Sequence, residues 1–306
     1  MSFKKYKCPK CNDTKHVILK KQREKSNQYL CKYCLKYFSI SKQQVNSKEL
    51  MNLHLDGMSF RDISRHTGVS KSQVHRLVYE ELQKIPENNK FSFKYCSRYS
   101  GIFEFDATYI NVKGYERGIA MLWGVDYFHH DFPVITFARG ETMRSWGQHF
   151  EIYRILNHYP EYIVCDDNLS LKVKAKEKFP KVKIQMCYNH LKEGIRRDLK
   201  IRSDPTYRMF CYELFRVFDL KRSEEDFDKK IFNLFIRYKQ DTRCTSILVQ
   251  ISRQKEELLA FRGIRQAPVT TNMIEGFHQQ IKDRIQSIHR FESFTHAKLW
   301  MNAFIM

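Results

Sequence analysis

Acidic side chains are scarce in this chain: 34 Asp and Glu stand against 54 Lys and Arg in 306 residues, a formal net charge of +20. The shortage is uneven. Residues 1–100 carry 21 basic and 8 acidic side chains, so the electrostatic footprint of a polyanion binder falls mainly on the first third. Long apolar runs are also missing. No stretch reaches the roughly eighteen apolar residues of a membrane span, so no membrane partner is expected. The opening Met1-Ser-Phe-Lys-Lys5 has no apolar h-region, so no secretory leader is expected. A disulfide framework is disfavoured too, because the nine cysteines are odd in number and four of them pair at metal spacing. That pattern fits a reducing compartment, and a cytoplasmic, nucleoid-associated location is expected. A hydrophobic content of 42% supports a packed core and excludes global disorder.

The four paired cysteines are Cys8 and Cys11, then Cys31 and Cys34. Each C-x2-C turns two thiolates toward one ion, and two such knuckles complete a closed tetrahedral Zn2+ site. The segment between them is polar and basic, with too few apolar residues for a core, so the ion would supply most of the folding energy of a zinc ribbon over residues 1–42. Residues 47–85 read as three helices. Ser59 caps the second, with Phe60, Ile63 and His66 facing inward; Thr67-Gly68-Val69 is a tight turn; Ser70 caps the third. Helix, Gly-containing turn and helix is the helix-turn-helix pattern. Its last helix would enter the DNA major groove through Ser70, Lys71, Gln73 and Arg76. Gln and Arg suit bidentate base contacts, while Lys and Ser mostly hold phosphates. Residues 86–100 read as a linker.

From residue 101 the pattern becomes a three-strand meander (101–111, 118–128, 132–138), then a helix over 141–158. A short buried strand over 162–165, a helix over 169–179 and a strand over 182–187 follow. Strands alternating with helices imply a mixed α/β sheet. Asp106 ends the apolar run Gly101-Ile-Phe-Glu-Phe-Asp106, and Asp166 ends Tyr162-Ile-Val-Cys-Asp166. Glu275 lies in Thr270-Thr-Asn-Met-Ile-Glu-Gly-Phe-His278, which reads as a helix start. Two acids at strand ends plus one from a helix can hold two hard divalent cations, the equipment for breaking a phosphodiester. Mg2+ is expected there, with Mn2+ as its substitute.

The order of these elements resembles the ribonuclease-H-like core of DDE transposases. Val164-Cys-Asp166, then Phe179-Pro180, then Cys187-Tyr-Asn-His190 resembles the Mutator-type branch. Thr271-Asn272 with Ile274-Glu275 and a basic helix resembles its final catalytic helix. The resemblance covers roughly residues 101–300 and implies that Asp106, Asp166 and Glu275 are the metal-binding triad. It further implies a catalytic core over 101–190 and 269–306, with a helical insertion over 191–268. The implied activity is binding of terminal inverted repeats of double-stranded DNA, two-metal 3′-end cleavage and joining to target DNA by a homodimer or larger assembly. Two alternatives stand beside it: a DNA-binding regulator with an inactive ribonuclease-H-like domain, and a structure-selective nuclease. The chain ends at Met306, inside what reads as its last helix, which leaves room for a clipped copy.

Several other side chains compete for roles. Asp167 adjoins Asp166, and only one of the two can face the cleft; Asp166 is preferred because it closes the apolar run. Asp126 reads as a hairpin residue and Glu104 as an exposed, outward strand residue. Cys187 and His190 are two ligands, too few for a second zinc unless Cys211 or Cys244 joins them; packing or orienting roles are preferred. Asn272 shares a helix face with Glu275 and either caps the helix or orients the acid.

Overall fold

Two hydrophobic periods build the molecule, one of two residues and one of three to four. The computed structural model describes residues 6–23, 26–41, 46–95, 98–218 and 223–306. Residues 1–5, on which the leader expectation rests, lie outside these ranges, as does Cys96. Among the described residues no helix is long and apolar enough to cross a membrane.

The first unit is an antiparallel sheet in the order β1 (Val17–Gln22), β2 (Ser26–Cys31), β3 (Lys36–Ser41). Its buried apolar side chains are Cys8, Tyr29 and Cys31. Three helices follow: α1 (Ser47–Leu55), α2 (Phe60–Thr67) and α3 (Lys71–Leu82). Side chains of Asn46, Ser59 and Ser70 accept from backbone N–H groups of the three first turns, as N-caps do. Gly68 ends α2 in the left-handed region (φ 68°). Leu50, Phe60, Ile63, Val74, Val78 and Leu82 form the core of this unit. His66, expected to face inward, is exposed, because Ile63 and Phe60 already occupy the inner stripe of the short helix.

The stretch expected as a linker carries a helix, α4 (Asn88–Tyr95). Its asparagines are anchors: Asn88 N–H donates to Asn302 Oδ1 at 2.6 Å, Asn88 Nδ2 donates to the Phe132 carbonyl at 3.0 Å, and Asn89 Oδ1 accepts from Ile135 N–H at 3.2 Å. A polar composition looked like solvated chain, but these side chains are spent on backbone groups.

The main sheet contains β4 (Ile102–Val112), β5 (Tyr115–Asp126), β6 (Ile135–Ala138), β7 (Tyr162–Cys165) and β8 (Lys183–Met186), in the order β6-β5-β4-β7-β8. The first three strands pair antiparallel, and β4-β7 and β7-β8 pair parallel. Helices α5 (Met143–Ile155) and α6 (Leu169–Lys178) supply the crossovers. Strand alternation sends Phe103 and Phe105 to one face, against Trp146, Phe150 and Tyr153 of α5. It sends Ile110, Met121, Trp123 and Val125 to the other, against α12 (Asn272–Ile285) and α13 (Phe294–Ile305). Between β8 and α12 lie α7 (Tyr188–Asp198), α8 (Arg208–Phe215), α9 (Glu224–Arg237), α10 (Thr242–Arg253) and α11 (Lys255–Leu258). They enclose a separate core that includes Phe210, Phe227, Leu234, Leu248 and Leu258.

Candidate active site

Register places the first two acids. In the parallel β4-β7 ladder Ile102 faces Tyr162, Phe103 faces Ile163 and Glu104 faces Val164. Continuing that offset brings Asp106 abreast of Asp166, just beyond the end of β7. Asp106 closes its apolar run but not its strand, expected over 101–111. β4 runs on to Val112 because β5 pairs with it past Asp106, so the acid projects from a strand fixed on both sides of it. Burial, and the charge of Asp166 after it, push the Asp106 carboxyl up to about 7 against the pull of the Ala107 N–H. Burial likewise raises Asp166. Both shifts have the sign expected of carboxylates held in a poorly solvated cleft beside each other.

Glu275 enters from the first turn of α12. Its Oε1 accepts from Thr271 Oγ1 at 2.7 Å and lies 3.8 Å from His190 Nδ1. His190 is the hub of the cleft. The hydrogen bond to the Cys187 sulfur, joined by the charges of Cys187, Glu275 and Asp106, pushes the imidazole up to about 9, against its burial. Its field also acts on Asp166. Burial alone would raise Cys187, but hydrogen bonds from His190 and Thr271 bring its thiol below the ordinary value. Thr271 N–H donates to that sulfur at 3.4 Å, and Thr271 Oγ1, whose one proton is on Glu275, lies 3.2 Å from it. Cys187 and His190 thus stand at the site, their ligand atoms and a Glu275 oxygen all within 4.8 Å of one another. Cys211 and Cys244, the suggested completing ligands, are buried in the core of the insertion instead, where apolar packing claims small sulfur side chains.

Two expectations need correction. Glu104 is not exposed; it is 1% accessible. Strand period puts it on the same face as Asp106, and α12 covers that face; its Oε2 accepts from Met273 N–H at 3.0 Å and Ile274 N–H at 3.1 Å. Asn272 does not cap α12, whose N-cap is Thr271; its Oδ1 accepts from Asn189 Nδ2 at 2.7 Å. Asp126 stands at the hairpin turn after β5, in keeping with its reading, and is buried there, accepting from the N–H groups of Ser100, Phe128 and His129. Asp167 turns to Lys172 and Gln254, leaving Asp166 toward the cleft.

Two further groups belong to the site and were not singled out from the sequence. His278 lies one turn beyond Glu275, with Nδ1 3.5 Å from Asp106 Oδ2, while its Nε2 accepts from Trp123 Nε1 at 2.7 Å. Burial takes this imidazole down to about 4. The Glu-x-x-His spacing was a readable signal, since residues three apart share a helix face. Glu141 is the second; burial and then Asp166 raise its carboxyl, and its Oε2 accepts from Asn168 Nδ2 at 2.6 Å. No sequence periodicity marks it, because it sits in the turn between β6 and α5.

The family profile described as Transposase, Mutator family matches residues 34–301, most of the chain. The chain belongs to the Mutator family of transposases. DNA is therefore its partner, and DNA cleavage and strand transfer are the activity of its class. Comparison with curated proteins returns no match. In this transposase the four N-terminal thiols also converge. Cys8 and Cys34 sulfurs are 3.5 Å apart, Cys11 and Cys31 3.6 Å, and all four lie within 4.8 Å of one another. A residue with positive φ, Asn12 or Leu35, follows each C-x2-C, so the two knuckles turn alike. On α3, Ser70, Lys71 and Arg76 are exposed and Gln73 half-buried; Arg76 is held by Glu80 at 2.7 Å.

Proposed function

We propose that this transposase binds the terminal inverted repeats of its element and performs metal-dependent DNA cleavage and strand transfer with Asp106, Asp166 and Glu275. The observation that carries the reading is the gathering of acids from β4, the end of β7 and α12: Asp166 lines one cleft with His190, Glu275 lies 3.8 Å from His190 Nδ1, and Asp106 lies 3.5 Å from His278 Nδ1 of α12. The five-stranded order, with two antiparallel pairings followed by two parallel ones, supports a ribonuclease-H-like core. Carboxylate oxygens suit Mg2+ or Mn2+. Imidazoles stand beside Asp106 and Glu275, and the raised Asp106 reflects first its burial, a cost to the charged form that a bound cation would offset. Two bound ions would activate the attacking water or 3′-hydroxyl and stabilise the leaving oxygen. The chain's own part is orientation. Thr271 donates to Glu275, the Trp123–His278 pair faces Asp106, and the Asp166 loop is fastened by Asn168 N–H at 3.1 Å.

The N-terminal units serve recognition in this reading. Four thiolates around Zn2+ with bonds of about 2.3 Å place their sulfurs about 3.8 Å apart, which the observed separations approach. The zinc ribbon is structural, with no open position. Helices α2 and α3 act as a helix-turn-helix, with Ser70, Lys71, Gln73 and Arg76 toward DNA. Joining two ends calls for a dimer or larger assembly.

The test is Mg2+-dependent nicking of a fragment bearing the element's end, followed by joining to a target plasmid, with EDTA as control. Nicking and joining support the proposal. Nicking without joining assigns a nuclease, and binding without either assigns a regulator.

A further inference from the structure

We infer that Glu104 is a positioning residue that fixes the catalytic helix α12 against the central strand, and so sets where Glu275 meets Asp106. The inference rests on the reading of Asp106 and Glu275 as metal ligands. Its starting point is a shortage at the helix start. The N-cap of α12 is Thr271, which makes no side-chain cap. Its hydroxyl proton is on Glu275 Oε1, and the Cys187 sulfur lies beside it. The first N–H groups of a helix still need acceptors, most of all in a buried position. Glu104 supplies them from another element: one carboxylate oxygen takes both Met273 N–H and Ile274 N–H. An anion at a helix N-terminus is also favoured by the helix dipole.

Geometry makes this bracket specific to the site. Glu104 and Asp106 lie two residues apart on one face of β4, about 6.6–6.8 Å along the strand. Glu275 lies one residue beyond Ile274. The bracket therefore ties the ligand of one element to the ligand of another through two hydrogen bonds and a short piece of backbone. Burial pushes the Glu104 carboxyl up to about 7 while the Ile274 and Met273 N–H groups pull it down, so the two amides favour the ionised form, which a Gln or Leu at position 104 cannot offer. Burial of an acid at 1% accessibility is otherwise costly. His278, one turn further along α12, repeats the device on Asp106 itself.

The experiment compares full-length parent, Glu104→Ala and Glu104→Gln for Mg2+-dependent nicking of end-bearing DNA, measuring the Mg2+ concentration for half-maximal rate. Hydrogen exchange at Met273–Glu275 and end-DNA affinity are followed in parallel. The Ala variant is expected to raise half-saturating Mg2+ about tenfold or more, the usual effect of losing a group that orients a metal ligand. DNA affinity should stay unchanged and exchange should quicken only in the first turn of α12. The Gln variant, which keeps an acceptor and loses the charge, should fall between Ala and parent. Half-saturation in both variants within twofold of the parent overturns the proposal, as does a loss of rate at every Mg2+ concentration with no shift. Should the Ala variant fail to fold, the Gln variant decides alone: parental half-saturation with parental exchange overturns the proposal. A parent that does not nick at all instead refutes the reading of the site, a separate outcome.

Discussion

The two N-terminal units hold themselves in opposite ways. Residues 6–41 bury Cys8, Tyr29 and Cys31 and little else that is apolar, and the hydrogen bonds described for them close within the stretch. Residues 46–82 bury a full set of aliphatic side chains and then borrow from the core: Leu299 and Ala303 of α13 pack on them. Trp300 Nε1 donates to the His54 carbonyl at 3.0 Å, Ser287 Oγ donates to the Gly57 carbonyl, and the His54 and His296 Nε2 atoms meet at 2.9 Å. His54 Nδ1 faces the Met58 carbonyl at 2.8 Å and so carries a proton. In the neutral pair, His296 Nε2 then donates to His54 Nε2, and His296 Nδ1 is left unpaired. A sheet with almost no core needs a cross-linking ion, while a helical unit beside a large domain can use that domain's helix. The lesson concerns α12 and α13: the helices that carry Glu275 and close the core also seat the unit we assign to DNA recognition.

The largest expected effect breaks the first half of this contrast. Chelation should unfold residues 6–41, removing metal-linked folding energy on the order of 10 kcal/mol, while helices and core stay protected in hydrogen exchange. Metal analysis finding no zinc in freshly purified reduced protein would remove the basis for it. Acid should break the second half. Burial holds His54 down at about 4 and His296 at about 3, below the ordinary imidazole value near 6.5. Between those values the unfolded chain binds more protons than the folded one, so this stability is complete above about 6.5 and is lost as pH falls toward 4. Stability followed across that window should fall by a few kcal/mol, and His296→Phe should flatten the profile. Gly57 gives a smaller, local break. It has φ 100°, and a Cβ there would collide with the Arg284 carbonyl, so Gly57→Ala should cost about 2–4 kcal/mol in denaturant unfolding. Asn88→Ala, which frees the Phe132 carbonyl and leaves the Asn88 N–H on Asn302, should cost about 1 kcal/mol in the same assay. A cost near zero would return the 86–100 stretch to the status of a plain linker.

Much of this contrast was legible in the sequence, for physical reasons. The C-x2-C pairs specify their convergence by covalent spacing. The three short helices announce themselves through caps at Ser59 and Ser70 and the turn at Gly68. The mixed α/β sheet follows from strands alternating with helices. What stayed hidden depends on which face a distant element covers. Glu104 sits between two phenylalanines and reads as an outward residue until α12 is laid over it. Asn88 and Asn89 read as linker until Asn302 and the strands are beside them. Thr271 and His278 were inside the quoted motif, yet their partners, Cys187, Trp123 and Asp106, come from elements more than 80 residues away.

The central claim is that Glu275 acts in chemistry and not in recognition. The direct measurement pairs two assays on one end-bearing fragment: equilibrium binding at fixed salt and Mg2+-dependent nicking, for the parent and for Glu275→Gln. The account predicts unchanged binding, because Glu275 lies outside α3, and loss of nicking, because a neutral amide is a poor ligand for a hard cation. Nicking by Glu275→Gln at the parental rate would contradict it.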